Sequence, residues 1–381
     1  MRINRLELSD FRNYEKQILF FHEKTNIILG NNGQGKSNLL EAIYMLSMGK
    51  SFRTQKDLEM IRFGANFLRV CGSFEKGGRT TETEVMLSGE EKKFRIDGFL
   101  GSKNADLLEN VYMVVFSPED MRIVKEDPDK RRRFMDRELF QIKPLYYKDL
   151  SRYKKSVLHR NAVLKAEIPN EDMLDVWDEN LFKYGSKIIR ERRYFIEKLK
   201  KISMDIHASV TDGKEFLEVS YAPDIAFAED SEEQRDIFIG RLRECRASDM
   251  ARRFTGAGPH RDDMSVFIGG MDVKRFGSQG QQRTAALSLK LAELSIIKEE
   301  TGEDAIILLD DVLSELDEER RRFLIRSLSK NQVFISAAEM SAEIRESLPA
   351  GRVYFVSAGR AEPADFYGEN AEDAENLFYK V

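Results

Sequence analysis

The chain has 381 residues, of which 41% are hydrophobic and 33% are charged, and its formal net charge is −5. These values predict a soluble, globular protein of about two to three domains and argue against a surface that is basic throughout, although a local basic face is enough to contact nucleic-acid phosphates. The two cysteines and four histidines have no metal-ligand spacing, which argues against a transition-metal site. No apolar run approaches the ~20 residues of a membrane span, and residues 1–10 alternate like a strand, so we expect a cytoplasmic protein without membrane contact.

Strands are predicted at residues 3–8, 18–21 and 26–29, and a helical pattern follows the third strand. Between them lies a loop with the GxxxxGKS pattern, which consists of Gly30, Asn31, Asn32, Gly33, Gln34, Gly35, Lys36, Ser37 and Asn38. A glycine-rich loop between a strand and a helix is typical of polyphosphate binding, because its backbone N–H groups surround the phosphate oxygens. Lys36 is then expected to reach the β- and γ-phosphates, and Ser37 to bind Mg²⁺.

Four further strands are predicted at residues 67–74, 81–87, 92–96 and 111–116, and we expect an antiparallel meander beside the nucleotide site. From residue 130 to about 207 the chain is charged, poor in glycine and helical in period. The apolar repeat covers only about three heptads, which favours a compact helical lobe over a long coiled coil. We therefore expect a nucleotide-binding domain from residues 1–125 and 250–381, which the resemblance described below implies to be an ATPase domain, and a helical insertion at residues 126–249.

The last third of the chain contains two further motifs. Gly277 to Arg283 opens a helical pattern, where Ser278 and Gln281 match the SxxQ capping box. Residues 305–309 read as a buried strand that ends in Asp310 and Asp311. Carboxylates at the end of a central parallel strand can hold Mg²⁺ and position water beside a phosphate loop.

Taken in order, these motifs resemble the SMC type of ATP-binding-cassette (ABC) ATPases, and over nearly the full length the chain resembles the RecF family of bacterial recombinational repair proteins. The resemblance rests on residues 11–14 (FRNY), 30–38 (GNNGQGKSN), 116–120 (FSPED), 258–263 (GPHRDD), 277–283 (GSQGQQR) and 308–317 (LLDDVLSELD). It implies an α/β fold. The ATPase head would combine a mixed P-loop sheet with an antiparallel β subdomain, and the inserted lobe would be mainly helical, without a long coiled coil.

The resemblance also implies roles for individual residues. Asp310 would bind Mg²⁺, and Asp311 would replace the catalytic glutamate of most cassette ATPases, with a shorter reach that is compatible with weak hydrolysis. Ser278, Gly280 and Gln281 would contact the ATP held by a second subunit. Arg12 and Asn13 would lie near the nucleotide, although a plain turn between two strands explains them equally well. Ser336 stands where a switch histidine often lies and would replace it as a hydrogen-bond donor, although a plain small residue at a strand end explains it equally well. His260 with Arg261 is interpreted as a packing hinge between lobes.

The function implied by the resemblance is recombinational repair, replication-fork maintenance and the SOS response. An ATP-dependent, head-to-tail homodimer would clamp DNA, double-stranded or gapped with single strands, without sequence preference. It would help to load the recombinase RecA together with RecR and RecO, and DNA would stimulate a weak ATPase. Two alternatives remain open: a P-loop kinase or phosphotransferase that acts on a small molecule, and a clamp that binds ATP without hydrolysing it.

Contacts with DNA would have to come from clustered basic residues in or beside the helical lobe, since the net charge is negative. A solvated helix face is the simpler interpretation of each cluster taken alone. The candidate clusters are Lys130, Arg131, Arg132 and Arg133; Arg152, Lys154, Lys155 and Arg160; and Arg190, Arg192, Arg193, Lys198, Lys200 and Lys201.

Overall fold

The computed structural model describes residues 1–89, 91–101, 107 and 111–367 of the chain. Its strands are β1 (Arg2–Phe11), β2 (Tyr14–Phe20), β3 (Thr25–Leu29), β4 (Phe67–Lys76), β5 (Arg79–Ser88), β6 (Glu91–Ile96), β7 (Phe99–Gly101), β8 (Met113–Phe116), β9 (Leu217–Ala222), β10 (Asp263–Ile268), β11 (Met271–Asp272), β12 (Ile306–Asp310), β13 (Val333–Ala337), β14 (Gly351–Ser357) and β15 (Arg360–Tyr367). Its α-helices are α1 (Lys36–Met48), α2 (Pro128–Ile142), α3 (Pro144–Leu164), α4 (Glu171–Val210), α5 (Ser231–Arg252), α6 (Val273–Phe276), α7 (Gln279–Thr301), α8 (Glu318–Ser327) and α9 (Ala342–Ser347).

The chain divides into two compact units, one formed by Met1–Met121 with Ile297–Val381 and the other by Arg122–Ile296. The second boundary differs from the expected one, because residues 250–296 belong to the second unit. There β10 pairs with β9, and α7 contributes Ala285, Leu289 and Ile296 to the core of the same unit. A strand and a helix that are bound into this core cannot be grouped with the first unit.

The first unit contains a six-stranded sheet with the order β15-β14-β3-β13-β12-β8. The strands from β14 to β8 run parallel, and β15 pairs antiparallel with β14. All residues of β3, β8 and β12 are buried, as expected for strands that are covered on both faces. The strand predicted at 111–116 exists as β8, but its place in the meander was wrong, because β8 pairs parallel with β12.

The second sheet of this unit is antiparallel and has the order β2-β1-β4-β5-β6-β7, so the other three strands of the predicted meander are confirmed. Helix α1 contacts β4 of this sheet and β13 of the parallel sheet. Gly72 of β4 permits this contact, since a Cβ there would lie 2.4 Å from Leu46 Cδ1. The close packing holds the C-terminal part of α1 against β4.

The second unit combines α2, α3, α4 and α5 with the three-stranded sheet β11-β10-β9. Its core includes Phe134 of α2, Tyr153 of α3, Phe195 of α4 and Phe238 of α5. Helix α4 has 40 residues and is packed along its length against α3 and β9, which agrees with a compact lobe. Within the described part of the chain, no helix is both long and apolar enough to cross a membrane.

Candidate nucleotide-binding site

The glycine-rich loop joins β3 to α1, and its glycines have different roles. Gly30, Gly33 and Gly35 have φ values of 150°, 80° and 122°, which side chains rarely adopt. A Cβ on Gly30 would lie 2.3 Å from the Val356 carbonyl oxygen, and one on Gly35 would lie 2.6 Å from Asn13 Nδ2. At Gly33 a Cβ would meet no atom within 4 Å. Gly30 and Gly35 therefore permit close packing of the loop on its surroundings, and Gly33 is required only for the backbone turn.

The start of α1 is arranged to receive an anion. Gly35 is its N-cap residue and supplies no side-chain acceptor, and the first turn contains no acidic residue. The N–H groups and the positive end of the helix dipole are thus left for a ligand. Lys36 is 4% exposed, and its Nζ donates hydrogen bonds to the carbonyl oxygens of Gly30 (2.7 Å) and Asn31 (3.1 Å). These bonds hold the ammonium group above the loop.

Asn13 is tied directly to the loop. Its Nδ2 donates to the Gln34 carbonyl oxygen at 2.7 Å, and its Oδ1 accepts from Asn38 Nδ2 at 2.9 Å. Tyr14 is buried beside it and donates to the Gly35 carbonyl oxygen at 3.0 Å, and burial raises the pKa of its hydroxyl. The segment between β1 and β2 therefore supports the loop from one side, and Asn13 as a neighbour of the nucleotide stays a prediction.

Arg12 has a different environment. Its guanidinium forms a two-bonded ion pair with the fully buried carboxylate of Glu41 on α1, with distances of 2.8 Å and 2.6 Å. Its Nη1 also donates to the Glu59 carbonyl oxygen at 2.6 Å. The observed partners of Arg12 are thus protein groups that fix α1 to β1, and Arg12 as a nucleotide contact stays a prediction.

A turn between β14 and β15 also contacts the loop, and sequence reasoning missed it. Ala358 and Gly359 form a two-residue hairpin turn with φ values of 46° and 75°. The Ala358 N–H donates to Gln34 Oε1 at 2.7 Å, and the Gly359 N–H donates to the Gln34 carbonyl oxygen at 3.2 Å. The available signal was a glycine between two alternating runs near the C-terminus, which predicts a hairpin but not its contact.

Asp310 is the last residue of β12, and Asp311 follows it. Asp310 is 7% exposed, and its Oδ1 accepts a hydrogen bond from the Ser336 hydroxyl of β13 at 2.8 Å. Asp311 has a left-handed backbone with φ 53°, and its N–H donates to Ser336 Oγ at 3.1 Å. Ser336 therefore positions both aspartates, which is a structural role that the sequence did not assign to it.

The Asp311 carboxyl has a raised pKa, chiefly because it is partly buried; the Lys36 ammonium opposes this shift and the Asp310 carboxylate adds to it. The three groups therefore share one electrostatic environment. Strands β3 and β12 flank β13, so the loop and the aspartates lie at the same carboxyl edge, about 10 Å apart from strand to strand. The Ser37 hydroxyl has no hydrogen-bond partner in the described residues. Mg²⁺ prefers oxygen ligands, and the Ser37 hydroxyl and the Asp310 carboxylate are such ligands, so the two residues fit this ion.

The capping box at the start of α7 is confirmed. The Gln281 N–H donates to Ser278 Oγ at 3.2 Å, and the Ser278 N–H donates to Gln281 Oε1 at 3.0 Å. Gln281 also donates to Glu215 at 2.8 Å, which anchors the turn to the chain before β9. Ser278 is exposed, and nearby Phe276 is 70% exposed. This helix start belongs to the second unit, whereas the glycine-rich loop belongs to the first.

Many cations of the proposed DNA-binding clusters form ion pairs within the protein. Arg131 is buried on Asp263, Arg160 on Asp178 and Asp249, and Arg192 on Asp136 and Asp262. Arg132 pairs with Asp129, Arg193 with Glu229, and Lys200 with Glu218. Within the described residues, the cations of these clusters without an ion pair or ring contact are Lys154, Lys155 and Lys201.

The GPHRDD segment, residues 258–263, lies inside the second unit, and its interpretation as a packing hinge between lobes stays a prediction. Asp262 is fully buried and accepts hydrogen bonds from Arg192 and Tyr221. Burial raises the pKa of Asp262, although Arg192 opposes that shift. The motif anchors this unit's own core.

Comparison with known proteins agrees with this geometry. Residues 2–355 match the family described as RecF/RecN/SMC N terminal domain. The DNA replication and repair protein RecF of Clostridioides difficile (strain 630) is 45% identical over 343 residues, which cover 90% of this chain and 92% of that protein. A solved structure of the recombination mediator protein RecF-ATPrS in the RecFOR pathway is 35% identical, with a TM-score of 0.89 over 96% of this chain and 98% of the other.

The SMC head shows the same fold at greater distance. The SmcHead bound to the C-winged helix domain of ScpA is 15% identical and has a TM-score of 0.55, with 99% of this chain and 100% of that chain covered. The expected fold class, an α/β ATPase head with a mainly helical insertion, is therefore confirmed. With the glycine-rich loop, the paired aspartates and the capped α7 in place, the chain belongs to the RecF family of SMC-type ABC ATPases.

Proposed function

We propose that the protein is an ATP-dependent DNA-binding protein of cytoplasmic recombinational repair and replication-fork maintenance, including the SOS response. The observation that carries this proposal is the common position of Lys36, Asp310 and Asp311 at the carboxyl edge of one parallel sheet. The relatives named above are a replication and repair protein and a recombination mediator that was solved with an ATP analogue. ATP is therefore the expected nucleotide.

In the proposed site, the loop N–H groups and Lys36 hold the phosphates, and Ser37 with Asp310 holds Mg²⁺. Bound Mg²⁺ neutralises phosphate charge during hydrolysis. Asp311 is the proposed acceptor for the proton of the attacking water, because its raised pKa brings it closer to neutral pH. Asn13 supports the loop, and the shorter reach of an aspartate is compatible with slow turnover.

The exposed start of α7 is the proposed contact between subunits. Ser278, Gly280 and Gln281 would meet the ATP of the partner subunit at a helix N-terminus, which favours an anion. ATP would then join two copies head to tail around DNA, and hydrolysis would release them. RecR, RecO and the recombinase RecA are proposed partners, with double-stranded DNA next to a single-strand gap as the substrate.

Sedimentation and phosphate release test this proposal together. The parent protein is expected to dimerise only with ATP and to release phosphate faster with DNA. Ser278→Arg should keep ATP binding but stay monomeric, whereas Ser209→Arg, an exposed serine on α4, should dimerise normally. Lys36→Ala should lose ATP binding. Asp310→Asn should lose hydrolysis, and Asp311→Asn should slow it without loss of the dimer.

Three results would overturn parts of the proposal. An ATP-induced dimer of Ser278→Arg would exclude the head-to-tail contact. Steady turnover by a monomer that ignores DNA would favour the small-molecule kinase, which needs no second subunit. ATP binding and dimerisation without any phosphate release would favour a clamp that does not hydrolyse ATP.

A further inference from the structure

Three exposed arginines lie around the end of α5. Arg252 and Arg253 close the helix, Phe254 follows, and Arg261 returns from the other end of the loop with its guanidinium 5.3 Å from the Phe254 ring centroid. Phe254 is 36% exposed, and the three arginines are exposed. In the described part of the chain, none of them forms an ion pair. We call these four residues the arginine surface.

The loop that carries this surface is held firmly by α3. Thr255 donates through its N–H and its hydroxyl to Asn161 Oδ1, at 2.7 Å and 2.8 Å. His260 bonds to the Thr255 carbonyl oxygen through Nε2 (3.1 Å) and to the Tyr153 hydroxyl through Nδ1 (2.7 Å). Since a carbonyl oxygen only accepts, Nε2 carries the proton and Nδ1 accepts from Tyr153.

The imidazole of His260 remains neutral in this position. Burial lowers the pKa of His260 to about 4, and the neighbouring Arg261 adds to this effect. Gly258 allows the close approach, since a Cβ there would lie 2.2 Å from the Tyr153 hydroxyl oxygen. Arg261 and Phe254 therefore project from a rigid loop, and a ligand would bind them with little loss of conformational entropy.

Arg253 adopts a left-handed conformation with φ 59° and ψ 31°. Glycine is the usual residue at such a helix end, and an arginine there costs conformational energy. A basic residue in the last turn stabilises the helix dipole, which accounts for Arg252. Stabilisation of the helix dipole does not explain why an arginine occupies the strained position 253, nor why Arg261 lies over the exposed ring of Phe254.

The chemistry of this surface fits a single strand of nucleic acid. Guanidinium groups bind phosphates, and an arginine plane on an aromatic ring offers a flat platform for an unpaired base. In a duplex the bases are stacked inside and do not reach such a platform. We propose that the arginine surface binds an unpaired DNA strand, with phosphates on Arg252 and Arg253 and a base on the Arg261–Phe254 pair. This proposal rests on the proposed DNA-binding function.

Fluorescence anisotropy with a labelled single-stranded oligonucleotide and a labelled blunt duplex, each with Mg²⁺ and ATP, tests the proposal. Phe254→Leu is expected to weaken single-strand binding about tenfold and to leave duplex binding nearly unchanged. Arg252→Gln and Arg253→Gly should each lower the slope of log affinity against log salt by about 0.7 on the single strand, because each removes a proposed phosphate contact. Arg261→Gln should weaken single-strand binding, because it removes part of the proposed base platform. Arg243→Gln is the matched control, because Arg243 is an exposed arginine on α5 without an ion pair in the described residues.

Melting temperatures show whether a variant loses DNA affinity because it is misfolded. Arg253→Gly relieves the strained backbone, so its melting temperature should equal or exceed that of the parent while its DNA affinity falls. Equal losses for Arg261→Gln and Arg243→Gln would overturn the arginine surface and leave the proposed function intact. Equal losses of Phe254→Leu on both oligonucleotides would exclude base stacking. A parent protein that binds neither DNA would overturn the proposed function as well.

Discussion

The ion pair between Arg12 and Glu41 allows a test of whether Arg12 has a structural role or contacts the nucleotide. Glu41 is fully buried on α1, and Arg12 has 18% side-chain exposure and forms two bonds to that carboxylate. Removal of one member of a buried pair costs about 3–5 kcal/mol, because a charge is left without compensation. Two facts make the expected loss smaller here. Arg53 still lies 3.8 Å from Glu41 and partly compensates its charge, and the Arg12 side chain is partly exposed to solvent. We therefore expect Arg12→Gln to lower the free energy of unfolding by about 2–3 kcal/mol.

Hydrogen exchange of the α1 and β1 amides is the suitable measurement, because it reports the opening of this unit separately from the other. Arg12→Gln should increase exchange in both elements and retain ATP affinity. The double variant Arg12→Gln with Glu41→Gln should recover much of the loss, since two amides can pair without a buried charge. Control variant Arg62→Gln breaks a more exposed ion pair with Asp10 and should cost less. Undisturbed exchange combined with lost ATP affinity would show that Arg12 contacts the nucleotide instead.

Three further outcomes follow from the geometry. Gly359→Ala should destabilise the first unit and weaken ATP binding, because its Cβ would lie 2.0 Å from the Asn13 carbonyl oxygen. The control is Gly78→Ala, which has a similar φ and no neighbour within 4 Å. Hydrogen exchange should show that this control loses only about 1 kcal/mol of stability, which is the cost of the backbone conformation. Folding lowers the pKa of His260 from 6.5 to about 4. The stability that this shift contributes above pH 6.5 should therefore be lost as the pH falls to 4, by up to about 3 kcal/mol. Thermal unfolding of His260→Gln should lack this pH-dependent loss. Ser336→Ala should slow phosphate release with little effect on ATP binding, because Asp310 and Asp311 lose the hydroxyl that positions them.

The motifs that sequence reasoning located well are those whose geometry is local. The glycine-rich loop is defined by spacing within nine residues, and the capping box of Ser278 and Gln281 by spacing within four. Backbone conformation and neighbouring side chains decide both, so the pattern carries the structure. The strand predicted at residues 111–116 was also found, as β8, because a short apolar run is a local signal as well.

Strand pairing and contacts between distant segments of the chain could not be predicted from local sequence patterns. Nothing local to β8 distinguishes an antiparallel meander from a parallel edge beside β12, since both place a buried apolar strand in a sheet. The contact of Gln34 with Ala358 joins positions 324 residues apart and depends on the register of β14 against β3. A single sequence contains the two segments but gives no sign that they meet.

Charge runs are a harder case, and the reason is geometric. Consecutive helical residues differ by about 100° in direction, so a run such as residues 130–133 points to all sides of α2 and cannot form one basic face. At least one member must face the core, where it requires a carboxylate, and Arg131 meets Asp263 there. A basic surface of several cations is therefore easier to build from residues of separate segments. Loops that join helix ends provide this arrangement, as Arg253 and Arg261 do around Phe254, so a search for DNA contacts in this fold should begin at helix termini and not at the longest basic runs.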